Sequence, residues 1–171
     1  MGSACSAKAH FKIPSENMLI ELLMPTFYIS EAKLTQYDVK LIEHNWSQIV
    51  SGKTSERYVE TGLQLFYTIF YSRVSDISKN THEIMCSVEF PKQVFLIQIV
   101  SMILKCANKF DLFSMRLNEF VSLCYMNGLR GYEIGMLGDV ILYTLQETLG
   151  DAYDVTTEHA WMYAYSKFLR Y

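Results

Sequence analysis

The chain contains 171 residues, of which 50% are hydrophobic, and it carries a formal net charge of -3. This length corresponds to one domain with a substantial core, and the high hydrophobic content argues against disorder. A weakly acidic chain offers no basic surface for a phosphate backbone, so we expect no nucleic-acid partner.

Hydrophobic residues recur at three- and four-residue spacing over long segments, and strand signals are weak. This periodicity predicts an all-α fold. The longest apolar run near the middle of the chain, Val94–Leu104, is interrupted by polar residues and is too short to span a bilayer.

The cysteines indicate neither a disulfide framework nor a zinc site, because no CxxC pair occurs. Residues 1–17 also lack the apolar core of a secretory signal. We therefore expect a reducing, intracellular environment. The cysteines are Cys5, Cys86, Cys106 and Cys124.

The first eight residues, MGSACSAK, match the pattern for N-myristoylation: removal of Met1 exposes Gly2, and Ser6 stands at the expected place. One myristoyl chain binds a membrane only marginally, and Cys5 is well placed to carry a palmitoyl chain that makes the attachment stable. We therefore predict a protein held at the cytoplasmic face of a membrane. The alternative is that this stretch is an incidental flexible N-terminus.

Residues 1–33 are predicted to form an N-terminal extension ahead of a helical domain at 34–171. Within the extension, Pro14 and Pro25 bracket one short apolar patch, Met18–Met24. This patch either packs against the core or lies on the membrane beside the acyl chains.

The first helix of the domain is predicted to begin at Thr35, which forms a capping box with Asp38. The second is predicted from about Ser55 to Tyr71, with Gly62 in its middle. A glycine at that position suggests the close approach of a crossing helix. The predicted buried stripes are Val39, Ile42, Trp46, Ile49 and Val50 in the first helix, and Val59, Leu63, Phe66 and Phe70 in the second.

Residues 72–90 are predicted to be a long connection that holds one short helix. Pro91 then begins a helix that continues to about Ala107, and a turn covers 108–111. The next helix runs to about Asn127, with Phe113, Leu117, Phe120, Val121 and Cys124 on its buried face. A corner marked by Gly128 and Gly131 leads to a buried helix at 133–149, and the last helix begins near Thr156.

Several segments, in order, resemble the globin family. Leu34-Thr35 followed by Trp46 is similar to a globin first helix, and GLQLFYTIF at 62–70 is similar to the second. VILYTLQETLGD, followed by Glu158, Ala160-Trp161 and Tyr165, resembles the last two helices. The resemblance covers 34–171. It implies a globin fold, a three-on-three helical sandwich, and the acylated extension ahead of it is similar to membrane-bound globins of the globin X kind.

The resemblance also implies a haem pocket, in which a proximal histidine holds the iron. It places Phe66 at the pocket roof and Gln93 at the distal position, with Phe95 as the alternative. The proximal position, four residues before Gly131, holds Asn127. An amide oxygen is a poor iron ligand beside an imidazole, so this substitution predicts a sharp loss of iron affinity.

Other side chains could ligate the iron in place of the missing histidine. Met126 and Cys124 are soft candidates, although both alternatively pack or face solvent. Among the histidines, His82 is the one that could swing toward the pocket. The cofactor therefore stays open, with haem implied by the resemblance alone.

Two functions of different class follow. The first is a haem-free regulatory or interaction module in which apolar side chains fill the old pocket. The second is a haem-binding globin acting in ligand binding, sensing or redox signalling with a non-histidine proximal side. No catalytic constellation supports an enzyme. A protein partner or a homodimer would use the last helix, where Tyr163, Tyr165 and Tyr171 either form a binding surface or pack.

Overall fold

A computed structural model of the chain describes residues 24–87, 90–108 and 110–171. Within these ranges the secondary structure is helical and contains no strand, which confirms the all-α prediction. The α-helices are α1 (Gln36–Val50), α2 (Gly62–Ile77), α3 (Lys79–Cys86), α4 (Lys92–Asn108), α5 (Phe110–Met126), α6 (Gly131–Leu149) and α7 (Val155–Leu169), and a 3-10 turn at Gly150–Ala152 joins α6 to α7.

Helix α7 packs against three other helices of the fold, α1, α4 and α6. Helix α4 packs against α1 and α5, whereas α6 packs against α2 and α7. Helix α7 also lies against α1 and α4, so it links the group of α1, α4 and α5 to the group of α2, α6 and α7. Its buried face includes Trp161, Ala164 and Phe168.

The start of α1 is the predicted capping box. Thr35 Oγ1 accepts the Asp38 backbone N–H at 3.2 Å, and Asp38 Oδ2 accepts the Thr35 backbone N–H at 2.8 Å. These bonds satisfy amides that have no partner within the helix. The predicted stripe is correct at Val39, Ile42 and Ile49, and Trp46 is half-buried. It is wrong at Val50, which is exposed in the last turn.

The predicted start of the second helix is wrong, because α2 begins at Gly62 rather than near Ser55. Gly62, the first residue of α2, has a φ of +62°, a conformation that glycine adopts readily. A Cβ on Gly62 would lie 3.1 Å from the Ile49 carbonyl oxygen, so the close approach is to the end of α1. Val59 and Leu63, which were expected to face inward, are exposed.

The remaining boundaries differ from the predictions by a few residues. Helix α2 ends at Ile77 rather than near Tyr71, so the first part of the predicted connection 72–90 belongs to it. The predicted short helix, α3, follows and is capped by Ser78 Oγ, which accepts the Thr81 backbone N–H at 3.2 Å. Helix α5 begins earlier, at Phe110, and α6 begins at Gly131. Val121 was predicted to be buried but is exposed, so the buried face of α5 is narrower than the hydrophobic pattern indicated.

Residues 24–33 of the extension lie along α6 and α7. Thr26 Oγ1 donates to Asp139 Oδ1 at 2.7 Å, and the Phe27 ring meets Tyr165 edge to face at 6.0 Å. The Ile29 backbone N–H donates to Ser166 Oγ at 3.1 Å. This part of the extension therefore packs on the helical body. Of the apolar patch Met18–Met24, only Met24 lies within the described residues.

Over the ranges that the structure covers, none of the helices combines the length and the apolar character needed to cross a membrane.

Candidate functional site

The pocket implied by the family resemblance would lie between α4, which carries the distal position, and α5, which leads to the proximal one. These two helices pack directly against each other. The rings of Phe95 on α4 and Phe120 on α5 are stacked, with centroids 5.8 Å apart and planes at 20°. Both side chains are buried. We call this contact the Phe95–Phe120 stack.

Further aromatic rings surround the stack on both sides. Phe90 meets Phe95 edge to face at 5.1 Å, and Phe168 of α7 meets Phe120 at 6.0 Å. Such edge-to-face and offset contacts are the favourable geometries for aromatic pairs. The space between α4 and α5 is therefore occupied by side chains of this chain.

Asn127, at the predicted proximal position, lies in the turn after the last residue of α5. Its Nδ2 donates to the Leu123 carbonyl oxygen at 2.7 Å, and its backbone N–H donates to the same oxygen at 3.2 Å. The Leu123 carbonyl oxygen thus accepts both a backbone and a side-chain N–H of Asn127, and the side chain lies against the end of its own helix. The structure thus gives Asn127 a helix-capping contact.

Phe66, the predicted pocket roof, is buried on α2 and meets Trp46 edge to face at 5.5 Å. It borders a groove of about 540 Å³ that Leu96 and Ile97 of α4 also line. Asn127 is not among the lining residues of that groove. This groove therefore does not connect the predicted roof with the predicted proximal position.

The other candidate ligands are dispersed. Met126 is 84% exposed at the end of α5, and His82 lies on α3 with its Nε2 3.3 Å from the Cys86 sulfur. Gln93 belongs to α4, but its side chain lies outside what the structure describes. Burial raises the pKa of the Cys124 thiol to about 12. Cys124 is therefore a neutral thiol at physiological pH.

The residues present do not fit a haem. The Phe95–Phe120 stack takes the place between the helices, and the Asn127 amide is bonded to the end of α5. A groove that runs along α4 and α5 measures about 220 Å³, and Lys105, Arg116 and Glu119 are among its lining residues. Among the described residues, no group of three or more His, Cys, Asp or Glu side chains is placed to hold a metal ion.

The tyrosines of the last helix divide between the two predicted roles. Tyr165 is buried, and its hydroxyl donates to the Ile134 carbonyl oxygen at 2.5 Å, so it packs. Tyr163 is half-buried and stacks on His159. Tyr171 is exposed beside Phe113. Of the three, Tyr171 alone is more than half exposed.

Sequence reasoning missed two features of this region. The Phe95–Phe120 stack joins residues whose separate helical patterns give no sign that they meet. An apolar groove lined by Met24, Val121 and Arg130 was also missed, because it combines segments far apart in the chain. Within the structure, the exposure of Val121 is the feature of a single residue that points to this groove. The lipidation candidates Gly2 and Cys5 lie outside the described residues.

No family model matches the chain, and no curated protein or solved structure does so either.

Proposed function

We propose that this protein is a haem-free, globin-like regulatory or interaction module that acyl chains on Gly2 and Cys5 hold at the cytoplasmic face of a membrane. The observation that carries the haem-free part is the Phe95–Phe120 stack. Two buried aromatic rings in direct contact stabilise the closed arrangement of α4 and α5. Inserting a macrocycle would require these helices to separate and would expose both rings.

The globin-like part is supported by the order in which the helices contact one another. One set consists of α1, α4 and α5, and the other of α2, α6 and α7. Within each set one helix contacts the other two: α4 contacts α1 and α5, and α6 contacts α2 and α7. Contacts of α1 with α2, α6 and α7, together with the contact of α4 with α7, join the sets.

The capped proximal turn supports the loss of iron binding. In the arrangement implied by the resemblance, the side chain at position 127 would face the iron. The Asn127 Nδ2 instead bonds the Leu123 carbonyl oxygen of its own helix. A histidine at this position could donate to the same carbonyl from Nδ1 and leave Nε2 free for an iron, but the asparagine amide offers no second nitrogen, and the Phe95–Phe120 stack would still stand in the way.

A haem titration of the purified full chain, followed by absorbance in the Soret region, tests the proposal. We expect no saturable band from the native protein, nor from Asn127→His alone, because the stack fills the site. The double variant Phe120→Ala/Asn127→His should give a saturable band, since it supplies both space and a ligand. Asn118→His, which adds an exposed histidine on the same helix, is the matched control.

A sharp, saturable band from the native protein would contradict the haem-free proposal. A band from Asn127→His alone, absent from Asn118→His, would show that the cleft is open and that only the ligand has been lost. That result would contradict the filling of the site by the Phe95–Phe120 stack.

The membrane part of the proposal is tested by labelling cells that express the full chain with an alkyne analogue of myristate. Gly2→Ala should abolish both the label and recovery in the membrane fraction. Cys5→Ser should keep the label but weaken membrane recovery, because one myristoyl chain gives an association constant of only about 10⁴ M⁻¹. Ser3→Ala, between these two positions, is the control. Membrane recovery that Gly2→Ala leaves unchanged would contradict acyl anchoring.

A further inference from the structure

An apolar groove of about 350 Å³ lies between α5, the start of α6 and the end of α7. Its walls include Leu117 and Val121 of α5, Ile134 of α6 and Phe168 of α7. Val121 is 54% exposed although its neighbours in the groove are apolar. Exposed apolar surface that forms a concave patch marks a binding surface.

One cationic group borders this groove. The Arg130 guanidinium donates from Nη1 to the Tyr125 carbonyl oxygen at 3.0 Å and to the Leu129 carbonyl oxygen at 3.1 Å. It also lies over the Tyr125 ring, 4.2 Å from the centroid. Glu133 accepts the backbone N–H of Arg130, and no salt bridge to its guanidinium occurs within the described part of the chain. The groove thus combines an apolar floor with a positive charge held in place at its edge.

An apolar segment of the sequence directly precedes a residue that lines this groove. Met24 is one of the lining residues, and the sequence immediately before it is MLIELL, residues 18–23. Consecutive Cα atoms are about 3.8 Å apart, so residues 20–23 lie within about 15 Å of Met24. Five of these six residues are apolar and the sixth is Glu21, which is complementary in charge to Arg130.

We propose that Met18–Leu23 binds in this groove of its own chain, with its apolar side chains against α5 and α7 and the Glu21 carboxylate at Arg130. This docking goes beyond the function proposed above and depends on neither acylation nor haem. It also has a consequence for the membrane. The same apolar residues lie in the extension that carries Gly2 and Cys5, so docking withholds them from the bilayer and leaves attachment to the acyl chains.

Hydrogen exchange measured by mass spectrometry on the full, non-acylated chain tests the docking. We expect the amides of residues 19–23 to be protected relative to those of residues 3–12. Val121→Glu places a negative charge in the groove and facing Glu21, so it should speed exchange at residues 19–23 by about tenfold or more. Val155→Glu puts the same change at an exposed valine away from the groove and should leave that exchange unchanged.

Glu21→Lys provides a second route, because it alters the docked segment and leaves every residue of the helical body in place. We expect it to speed exchange at residues 19–23 through repulsion by Arg130. Three results would overturn the proposal: native amides at 19–23 that exchange as fast as in Val121→Glu, an equal effect of Val155→Glu, or no effect of Glu21→Lys. Protection that appears only at protein concentrations where sedimentation detects a dimer would also overturn it, since the segment would then bind a second copy.

Discussion

The indole Nε1 of Trp161 on α7 donates a hydrogen bond of 3.4 Å to Oδ1 of Asn45 on α1, and both side chains are buried. The bond joins the first and last helices of the described body. Asn45→Ala would leave the indole N–H without its acceptor. We expect a loss of about 1–3 kcal/mol in the free energy of unfolding, measured by urea denaturation. His44→Ala, an exposed neighbour on α1, is the control and should change stability little. Equal stabilities of the two variants would contradict this role for Asn45.

Gly138 lies where α6 meets both α7 and the extension. A Cβ at this position would be 2.7 Å from Tyr165 Cε1 and 3.1 Å from Phe27 Cζ, which is too close for either ring. Gly138→Ala should therefore destabilise the fold by about 1–3 kcal/mol through overpacking. Gly131→Ala is the matched control at the start of the same helix, where an added Cβ meets no atom within 4 Å.

The Gly131→Ala control should be neutral or should stabilise the protein by up to about 1 kcal/mol, because alanine restricts the unfolded chain more than glycine does. If thermal unfolding gives the two alanine variants the same stability, the close contact of Gly138 with Tyr165 and Phe27 is not present in solution.

Features that depend only on neighbouring residues in the chain were predicted correctly, whereas a helix boundary that depends on a distant segment was not. The Thr35–Asp38 capping box is correct because its atoms lie within one turn, and Ile42 and Ile49 are correct because α1 is regular. The prediction at Gly62 failed for a non-local reason. Its backbone is held against the end of α1, so the helix begins there and residues 55–61 stay outside it.

The candidate site was harder to predict than the fold. The globin resemblance assigns Asn127 to the proximal position, but the bond from its amide to the Leu123 carbonyl oxygen could be found only once the end of α5 was placed. The Phe95–Phe120 stack depends on how α4 and α5 meet in space. Hydrophobic periodicity reports that each phenylalanine faces inward, and it carries no information about which ring on another helix it contacts.

The buried thiols of Cys106 and Cys124 should make the free energy of unfolding fall as the pH becomes alkaline. Burial raises the pKa of Cys106 to about 11 and that of Cys124 to about 12, from an ordinary value of 9.0. The folded state therefore holds these protons more tightly than the unfolded state does. The stabilisation is fully present below about pH 9 and is lost as the pH rises through 11 and 12. Urea unfolding at a series of pH values from neutral to alkaline measures this decline. In Cys106→Ala it should be shallower, and a decline as steep as in the native protein would contradict the assignment.

The Phe95 side chain should be among the costliest to truncate, because it is fully buried and contacts both Phe90 and Phe120. Phe95→Ala should lower the free energy of unfolding by about 3–5 kcal/mol, the range for deletion of a core aromatic ring. Val94→Ala, at the exposed neighbouring position of α4, should lower it by no more than about 0.5 kcal/mol.

A cavity lined by phenylalanine stays dry and binds small apolar molecules, so benzene should raise the melting temperature of Phe95→Ala and leave that of the native protein unchanged. A loss below about 1 kcal/mol for Phe95→Ala, or stabilisation of both proteins by benzene, would mean that α4 and α5 do not close over a filled core.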